Sequence, residues 1–342
     1  MRQYDVTIGI PMYNVRTFIE RTMESALSQT YPSIEYLIVD DGSNDSSLDV
    51  IRKLQVEHPR GNDIHMVNNI ENLGPSIARN LIIDKARGSY LYFMDADDLI
   101  REDAISLMMT QVKEHGADIV FGSMEKILLT GEKTIYQYPK MYFHHEDEFA
   151  IFSYRRYAGI QASACNFLVR VSIIRENGLS FYKSNYWEDF VFVLDLVTYI
   201  NRAVLLSDIT YTYICRQNSL SNFQKREHID KEEIFRNIGV AEYLKSGSLR
   251  LKEKPYFPHR CYVAVMTDFY IACHILKRRK DIVPPFSDFE IKGLFTHPVS
   301  FRQISSFRQA RLKNLVLYLI GKLPAPLCVT TIWLMGKIKK LI

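Results

Sequence analysis

The sequence predicts an α/β fold in which a mostly parallel, Rossmann-like central sheet is flanked by helices, with a helical extension at the C-terminal end. Short apolar runs alternate with longer amphipathic segments over the first 120 residues. These apolar runs are unbroken, which is typical of parallel strands that are buried on both faces. Polar clusters follow several of the runs directly, where strand-to-helix connections of such folds lie.

The elements of this first part follow one another in a regular order. The predicted strands are Val6–Ile10, Ile34–Val39, Ile64–Val67, Tyr90–Met94 and Asp118–Phe121. The predicted helices are Val15–Leu27, a segment from about Ser46, Pro75–Ala86 and Glu102–His115. Asn14 is a candidate N-cap of the first helix, because its side chain can accept a hydrogen bond from a free N–H group. Pro75 and Gly88 mark the start and the end of the third helix.

The pattern changes in the rest of the chain. Residues 122–215 alternate less regularly, but they include a predicted strand over Leu205–Tyr213 and a predicted helix over Phe190–Tyr199. From about residue 225 the pattern is helical, most clearly over residues 227–244 and 262–276. We therefore expect one α/β domain over residues 1–222 and a helical region over residues 223–342.

Composition excludes several classes of protein. Gly and Pro are ordinary in number and no repeat is visible, which excludes disordered, collagen-like and repeat proteins. The five cysteines form no C-x-x-C pair, so we expect free thiols in a reducing compartment. No apolar signal segment follows Met1, so we expect a cytoplasmic protein.

The net charge of +4 is unevenly distributed along the chain. Residues 301–342 carry eight Lys or Arg and no Asp or Glu, which leaves about −4 for the first 300 residues. Nucleic acid is not an expected partner, because the proteins that bind it more often carry basic residues along a groove or helix face. The tail contains two apolar runs, Leu315–Ile320 and Leu327–Met335, each shorter than the ~20 residues that span a bilayer. This basic amphipathic tail either lies on an anionic membrane or packs as a helical pair, with exposed lysines, on the domain of residues 1–222.

Three polar clusters stand directly after predicted strands. They are Pro11–Asn14, Asp40–Ser43 and Asp95–Asp98. In open α/β sheets, ligands bind beyond the carboxyl ends of the strands. We therefore expect the three clusters to meet at one ligand-binding edge of the sheet.

The third cluster contains three carboxylates, those of Asp95, Asp97 and Asp98. Carboxylates this close repel one another unless a cation joins them. Mg²⁺ and Mn²⁺ prefer oxygen ligands and often bridge a carboxylate to a diphosphate, so the cluster predicts a metal held against a nucleotide. The alternative is a solvated loop in which Asp98 caps the next helix.

Two further segments offer groups that could bind a nucleotide. Asp40 and Asp41 can accept hydrogen bonds from a base N–H or from ribose hydroxyls, although a simple strand–turn–helix connection explains the residues that follow them. The helix N-terminus at Gly74 and the nearby Arg79 suit an anion. Plain capping and a surface ion pair are the alternatives there.

Four motifs occur in order and at near-regular spacing: Ile8–Asn14, Val39–Ser46, Asn72–Asn80 and Phe93–Asp98. Together they resemble the inverting glycosyltransferases of family 2, of the bacterial surface-polysaccharide type, which have the GT-A fold. The resemblance is firm over residues 4–121 and looser to about residue 222. It implies that residues 1–222 are a catalytic domain, with a nucleotide-binding half over 1–121 and an acceptor half over 122–222.

The resemblance implies a site for a nucleoside-diphosphate sugar, with uridine as the expected nucleoside. Tyr13 would lie near the base, and Asp40 and Asp41 would bind base or ribose. Asp95 and Asp97 match the family's Asp-x-Asp motif, in which Asp95 meets ribose or metal-bound groups and Asp97 holds Mn²⁺ or Mg²⁺ on the diphosphate. The full set expected to bind the donor is Pro11, Tyr13, Asn14, Asp40, Asp41, Gly74, Arg79, Asp95 and Arg216.

The resemblance also implies a catalytic base. Tyr186–Asp189 resembles the family's Glu-Asp motif, whose acid deprotonates the acceptor hydroxyl, so Asp189 is the first candidate and Glu188 the second. Without the resemblance, an acidic pair that is favoured at a helix N-terminus is the simpler explanation. Arg216 opens a segment, residues 216–221, that resembles a loop closing over the site, and it would neutralise diphosphate charge. Where related sequences have Trp-Asn-Lys, this chain has Ala164–Phe167, and the missing Lys leaves its acceptor-side interactions open.

The implied reaction is a single displacement with inversion. A hydroxyl of a glycan or lipid-linked glycan attacks the anomeric carbon while the metal and Arg216 stabilise the departing nucleoside diphosphate. A membrane-bound acceptor would explain the tail, so we expect a peripheral protein on the inner face of the cell membrane.

Other readings of the sequence are weaker. One alternative is a catalytically degenerate family member that binds nucleotide or membrane. A nucleotidyltransferase or a dehydrogenase is disfavoured, because no Gly-rich phosphate loop follows the first strand. A metal site in His144–Glu148 is also disfavoured against a solvated polar turn.

Overall fold

The computed structural model describes residues 3–156, 160–184, 187–216 and 228–342. Within these ranges the chain forms two compact units. The first contains residues 3–149 and 161–216, and the second contains residues 150–156, residue 160 and residues 228–342. The predicted division of the first unit into a nucleotide half and an acceptor half stays a prediction.

A mixed sheet of ten strands forms the centre of the described part of the first unit. Its strands are β1 (Tyr4–Met12), β2 (Ile34–Asp40), β3 (Ile64–Asn68), β4 (Gly88–Phe93), β5 (Leu99–Ile100), β6 (Ile119–Ile127), β7 (Lys133–Tyr136), β8 (Met141–Phe143), β9 (Phe167–Arg170) and β10 (Ala203–Ile214). The order across the sheet is β3-β2-β1-β4-β9-β6-β10-β5, with β7 beside β6 and β8 beside β10.

The sheet is parallel in its first half and mixed in its second. β1 pairs in parallel with β2 and with β4, and β2 pairs in parallel with β3. β9 is antiparallel to both of its neighbours, β4 and β6, whereas β6 and β10 are again parallel. Parallel pairing needs a long crossover connection, and the regular alternation that supplies it ends near residue 120. The first four predicted strands are confirmed to within two residues, whereas β6 continues six residues beyond its predicted end.

Helices of the first unit cover this sheet, and those that the sequence predicts begin within two residues of their predicted positions. They are α1 (Arg16–Leu27), α2 (Ser47–Glu57), α3 (Pro75–Lys85), α4 (Ala104–His115), α6 (Val171–Glu176) and α7 (Glu188–Leu196), whereas α5 (Glu148–Arg155) begins at the end of the first unit and lies mostly in the second. α7 begins two residues earlier than predicted, so Glu188 and Asp189 form its first turn, and the 3₁₀ turn Val197–Tyr199 follows its end.

The prediction that Asn14 caps α1 is wrong. The N-cap position is Val15, and Asn14 stands before it with φ 50°. Its side-chain Oδ1 instead accepts a hydrogen bond from the N–H of Asn44 at 2.9 Å. Asn tolerates this left-handed conformation, and its side chain thereby joins two loops instead of closing a helix end.

The predicted core strands are buried as expected. All seven residues of β2 are buried, and β1 buries seven of its nine residues. The side chains that α1, α2 and α4 turn toward the sheet, among them Ile19, Ile51 and Met108, join the same apolar cluster. This packing stabilises the strands whose carboxyl ends carry the polar clusters.

The second unit is helical, as predicted. Its elements are β11 (Ile229–Asp230), α8 (Lys231–Ser248), α9 (Phe257–Lys277), β12 (Ile282–Val283), α10 (Asp288–Leu294), α11 (Phe301–Ser305), α12 (Arg311–Lys322) and α13 (Ala325–Ile338). The segment of residues 150–156 belongs here because the Tyr154 ring stacks on the Tyr256 ring at 5.2 Å and its hydroxyl accepts from Nη1 of the buried Arg260 at 2.7 Å.

The basic tail packs within this unit. Leu317 and Ile320 of α12 and Cys328 and Ile332 of α13 are buried in one cluster with α8, α9 and α10. Opposite faces of the two helices remain exposed, as Leu319 (50%) and Leu334 (51%) illustrate. Among the described residues, no helix has the length and apolar character required to cross a bilayer. All five cysteines are free thiols, and four of them are buried.

Candidate active site

The polar clusters after β1, β2 and β4 meet at one edge of the sheet, as predicted. Because these three strands are parallel neighbours, their carboxyl ends lie side by side. The N–H of Asn14 donates to Oγ of Ser43 at 3.0 Å, which joins the first cluster to the second. The N–H of Met94 donates to the carbonyl of Gly9 at 3.0 Å. This bond continues the pairing of β4 with β1 as far as the third cluster.

The paired carboxylates after β2 have different surroundings. Both oxygens of Asp41 accept backbone or amide N–H groups: Oδ1 accepts from Asn69 and Leu73, and Oδ2 accepts from Gly74 at 2.8 Å. Oδ2 of Asp40 accepts only the N–H of Ser43 at 3.2 Å, and its buried Oδ1 has no hydrogen-bond partner among the described residues. Asp41 therefore fixes the loop that leads into α3, while Oδ1 of Asp40 can accept a hydrogen bond from a ligand.

Gly74 opens α3 with φ 93°, a conformation that favours glycine. Its N–H is the one held by Asp41, so the start of α3 is tied to the end of β2. Pro75 follows at the first helical position. Four residues after Pro75, Arg79 points from α3 into the site.

Arg79 is the centre of the site. Its guanidinium contacts three carboxylates: Nη2 lies 3.1 Å from Oδ1 of Asp95, and Nη1 lies 3.1 Å from Oε1 of Glu188 and 2.8 Å from Oδ1 of Asp189. The side chain is only 7% exposed. The surface ion pair considered for Arg79 is therefore wrong, because Arg79 is itself buried and its partners are one buried and two half-buried acids from two distant segments. Whether Arg79 also meets a bound anion stays a prediction.

Burial and mutual repulsion alter the titration of these acids. Burial raises the pKa of Glu188 to about 7, with a further increase from Asp189 and an opposing effect from Arg79. Burial also raises the pKa of Asp189 against the attraction of Arg79, and Asp95 raises it further. Burial alone would lower the pKa of Arg79, but the carboxylates, Asp189 first, raise it above its ordinary value. The guanidinium stays charged while the acids compete for it.

The acidic turn after β4 presents its three carboxylates in different ways. Asp95 faces Arg79, and Asp97 forms an ion pair with Nε of Arg216. The Arg216 guanidinium also lies over the ring of Phe18, 5.2 Å from its centroid. Burial, followed by repulsion from Asp95, raises the pKa of Asp97 despite Arg216. Asp95 and Asp97 thus remain the exposed members of the turn, with side chains 29% and 16% accessible.

The prediction that Asp98 could cap the next helix is wrong. Its carboxylate is fully buried, accepts the Tyr211 hydroxyl at 2.7 Å, and accepts the N–H of Ile214 at 2.8 Å. The Tyr211 oxygen also accepts the N–H of Asp95 at 3.1 Å. Burial, with repulsion from Asp95 and Asp97, raises the pKa of Asp98 to about 8. Asp98 therefore holds the acidic turn to β10, the strand that leads into Arg216.

Tyr211 was not among the residues that the sequence singled out. It lies within the predicted strand 205–213, but nothing in that strand identifies its partner, which is 113 positions away in the sequence. Asn166 was noticed only as part of a motif. Its side chain donates to the carbonyls of Gly122 and Ser123 and accepts the hydroxyl of Thr210, so it joins β6 to β10.

The segment Ala164–Phe167 supports Asp189. The N–H of Ala164 lies 3.3 Å from Oδ2 of Asp189, opposite the oxygen that faces Arg79. Asp189 is thus held from two sides, yet its side chain is 21% exposed, against 9% for Glu188. Of the two acids, Asp189 is the one more open to a ligand.

The charges of the site do not balance. Four carboxylates, those of Asp95, Asp97, Glu188 and Asp189, share the two guanidinium groups of Arg79 and Arg216. This leaves an excess of two negative charges when all groups are ionised. In the ranges that the structure describes, no group of three or more His, Cys, Asp or Glu side chains is arranged to hold a metal by itself. A metal at Asp95 and Asp97 would need further oxygens from a ligand, which suits Mg²⁺-like sites completed by phosphates.

Other predicted residues lie at the rim or outside the described ranges. Tyr13 is 43% exposed beside the half-buried Pro11. Tyr186 and residues 217–221 of the predicted closing loop lie outside the described residues. In His144–Glu148, Oε2 of Glu148 accepts the N–H groups of His144 and His145 at the start of α5, which is the polar turn considered from the sequence.

A family model described as glycosyl transferase family 2 matches residues 7–178. The putative teichuronic acid biosynthesis glycosyltransferase TuaG of Bacillus subtilis (strain 168) is 34% identical over 116 residues, which are 34% of this chain and 45% of TuaG. The chain spans less than half the length of the first curated relatives it matches.

Solved structures resemble the whole chain. S. aureus TarS 1–349 in complex with UDP-GlcNAc has a TM-score of 0.56 at 18% identity, covering 93% of this chain and 90% of that one. The mannosyltransferase PcManGT from Pyrobaculum calidifontis, in complex with GDP-Man and Mn²⁺, has a TM-score of 0.53 at 15% identity, covering 94% and 86%. At these identities the likeness shows the fold alone, which is GT-A.

The matched stretch is half of the chain, and it contains β1, β2 and β4 with the three polar clusters that meet at their carboxyl ends. It also contains Arg79, which joins these clusters to the acids of α7. The chain belongs to glycosyl transferase family 2.

Proposed function

We propose that this protein is an inverting glycosyltransferase that moves a sugar from a nucleoside-diphosphate sugar, a UDP-sugar, to a hydroxyl of a glycan or lipid-linked glycan. One observation carries the proposal: Arg79 contacts Asp95 on the donor side and Asp189 on the acceptor side, each within 3.1 Å. A displacement reaction needs the groups that handle the leaving group and the attacking hydroxyl to be held at one centre. The buried guanidinium of Arg79 holds the two groups together here.

The donor nucleotide would lie along the carboxyl ends of β1 and β2. The buried Oδ1 of Asp40, which has no partner in the described ranges, is a suitable acceptor for a base N–H or a ribose hydroxyl. Tyr13, Asn14 and Pro11 border the same place. Asp41 would contribute to nucleotide binding indirectly, because it fixes the loop at Gly74. TarS and PcManGT were both solved with nucleotide sugars, which supports a donor of this class.

The donor set at the acidic turn fits a divalent cation. Asp95 and Asp97 supply two carboxylates, and the excess of carboxylates over guanidinium groups at the site favours one divalent cation, Mn²⁺ or Mg²⁺. PcManGT was solved with Mn²⁺, which supports the same choice. When bound, such an ion would stabilise the charge of the leaving diphosphate. Arg216, which contacts Asp97 at the end of β10, would add a second cationic group to that diphosphate.

Asp189 would act as the base. Its carboxylate would take the proton of the acceptor hydroxyl while the acceptor oxygen forms a bond to the anomeric carbon. The bond from that carbon to the diphosphate oxygen breaks, its electron pair leaves with the nucleoside diphosphate, and the configuration inverts. A carboxyl group whose pKa is raised by burial is a stronger base and is suited to this task, and Asp189 is more exposed than Glu188.

The proposal extends to the tail. The exposed apolar side chains of α12 and α13, together with the basic residues of 301–342, suit peripheral contact with an anionic membrane that carries the acceptor.

The test is calorimetric titration of UDP and of GDP, each with and without Mn²⁺, on the wild type and on Asp97→Asn. The matched control is Asp103→Asn, which removes an acid that is 44% exposed and pairs with Arg101. We expect UDP binding that depends on Mn²⁺, is lost in Asp97→Asn and is kept in the control. Binding of neither nucleotide in the presence of Mn²⁺ would overturn the donor site, and equal loss in the control would remove Asp97 from it.

A further inference from the structure

A cavity of about 310 Å³ lies within the second unit, between α10, α12 and the loop that follows α10. Its lining includes Phe289 and Lys292 of α10 and Tyr318 and Lys322 of α12. Gly321 allows α12 to lie this close to the loop, because a Cβ there would be 2.2 Å from the carbonyl oxygen of Phe295. No part of the proposed donor site contributes to this cavity.

The charges that line the cavity are positive. No Asp or Glu lines it, and neither Lys292 nor Lys322 forms an ion pair with a described residue. The two acids on the same helix are already paired, Asp288 with Arg279 at 2.9 Å and Glu290 with Lys231 at 2.6 Å. Nζ of Lys322 lies over the ring of Tyr318, 5.1 Å from its centroid. The two ammonium groups are therefore available to an anion.

An apolar row runs along α12 beside the cavity. An α-helix brings residues at i, i+4, i+7 and i+11 to the same face. Leu312, Val316 and Leu319 form such a row, and their side chains are 41–73% exposed. Tyr318 and Lys322 belong to the adjacent row, so the cationic cavity borders an exposed apolar surface. Phe289, 79% exposed, adds an apolar group on the α10 side.

We propose that this cavity binds the phosphate of an anionic membrane lipid, with Lys292 and Lys322 on the phosphate and the row from Leu312 to Leu319 against the acyl chains. A free phosphate would need the cations but not the apolar row, whereas an amphiphile uses both. The inference rests on the membrane contact of the proposed function and deepens it, but it is independent of glycosyl transfer.

The test uses the full chain and two charge-matched double variants. Lys292→Gln/Lys322→Gln removes the cations of the cavity, and Lys339→Gln/Lys340→Gln removes two exposed cations of the tail outside it. Each protein is titrated with monomeric dihexanoyl-phosphatidylglycerol and with inorganic phosphate, and is co-sedimented with phosphatidylglycerol and phosphatidylcholine vesicles. Nucleotide binding is measured in parallel as a check of folding and of the donor site.

We expect phosphatidylglycerol binding that falls in the cavity variant by roughly 10-fold more than in the control, because charge-assisted hydrogen bonds exceed general attraction to the surface. Equal losses in the two variants would overturn the cavity while leaving the membrane contact intact. Inorganic phosphate binding as tightly as the lipid would overturn the choice of a lipid. Absence of binding to phosphatidylglycerol vesicles would overturn both the cavity and the membrane contact, whatever the result for the nucleotide.

Discussion

The hydroxyl of Tyr211 bridges the acidic turn: it donates to Oδ2 of Asp98 at 2.7 Å and accepts the N–H of Asp95 at 3.1 Å. Tyr211→Phe keeps the ring but leaves a buried carboxylate and an N–H group without this partner, which costs about 1–3 kcal/mol. We expect the turn to shift and Mn²⁺-dependent UDP binding to weaken by roughly 10-fold, which corresponds to ~1.4 kcal/mol. Calorimetry with and without Mn²⁺ measures this effect.

Tyr92→Phe is the matched control. Tyr92 is also fully buried, but its hydroxyl donates to Oδ1 of Asn166 at 3.3 Å and not to a carboxylate of the acidic turn. This variant should lower the free energy of unfolding without changing the ratio of UDP affinities with and without Mn²⁺. If both variants changed that ratio equally, Tyr211 would have only a general structural role.

Asp40 and Asp41 provide a second prediction, in which neighbouring carboxylates lose different properties. Asp41→Asn replaces one of two accepting oxygens with an NH₂ group, which cannot accept a hydrogen bond. This change should lower the free energy of unfolding by about 1.5–3 kcal/mol. Asp40→Asn removes the charge of a carboxylate whose Oδ1 has no partner in the described ranges. It should weaken UDP binding by roughly 10-fold with a smaller loss of stability. Urea unfolding and calorimetry measure the two effects. The reverse pattern would show that Asp41 is the group that binds the nucleotide.

Much of the proposed donor site could be predicted because it depends on local patterns. Unbroken apolar strands indicate a parallel sheet, and the carboxyl ends of β1, β2 and β4 must then lie side by side. The positions of Asp40 and Asp95 follow from the strand ends alone. The fold of residues 4–93 was therefore predictable to within about two residues.

The partners within the site could not be predicted in the same way. Arg79 and Glu188 are 109 positions apart, and they meet only because the N-terminal parts of α3 and α7 lie at the same place in the fold. The roles of Asp40 and Asp41 differ through the loop of residues 69–74, which the sequence pattern does not reveal. A single sequence indicates which side chains could act, but not which of them already have partners.

Arg79 provides a third prediction, since its guanidinium spans acids that a smaller cation cannot reach together. Nη1 contacts Glu188 and Asp189 while Nη2 contacts Asp95, and a Lys ammonium is a point charge without this fork. Arg79→Lys should lower kcat/KM by roughly 100-fold, equivalent to ~2.7 kcal/mol, because the donor-side and acceptor-side acids lose their common partner. Steady-state kinetics with the identified donor measures this loss.

Arg87→Lys is the control for Arg79→Lys. Nε of Arg87 pairs with Oε1 of the buried Glu35 at 2.6 Å, away from the sheet edge that carries the site. It should destabilise the protein while leaving kcat/KM close to that of the wild type. Full activity in Arg79→Lys would mean that the shared contact is dispensable for the reaction.

The acids of α7 provide the last prediction, a dependence of activity on pH. The pKa of Glu188 is raised to about 7 and that of Asp189 is also raised, so the pair takes up protons as the pH falls through neutrality. A protonated base cannot accept the hydroxyl proton, and kcat/KM should therefore decrease on the acid side, as Asp189 takes up a proton through its raised pKa. Glu188→Gln removes one member of the pair and should move this decrease to lower pH, because Asp189 then has Arg79 without a competing neighbour.

Asp189→Asn should lower kcat/KM by roughly 100-fold or more at every pH. The profile is measured between about pH 5.5 and 9 at saturating Mn²⁺. If Glu188→Gln abolished activity while Asp189→Asn kept it, Glu188 would be the base and its raised pKa would be the one that sets the profile.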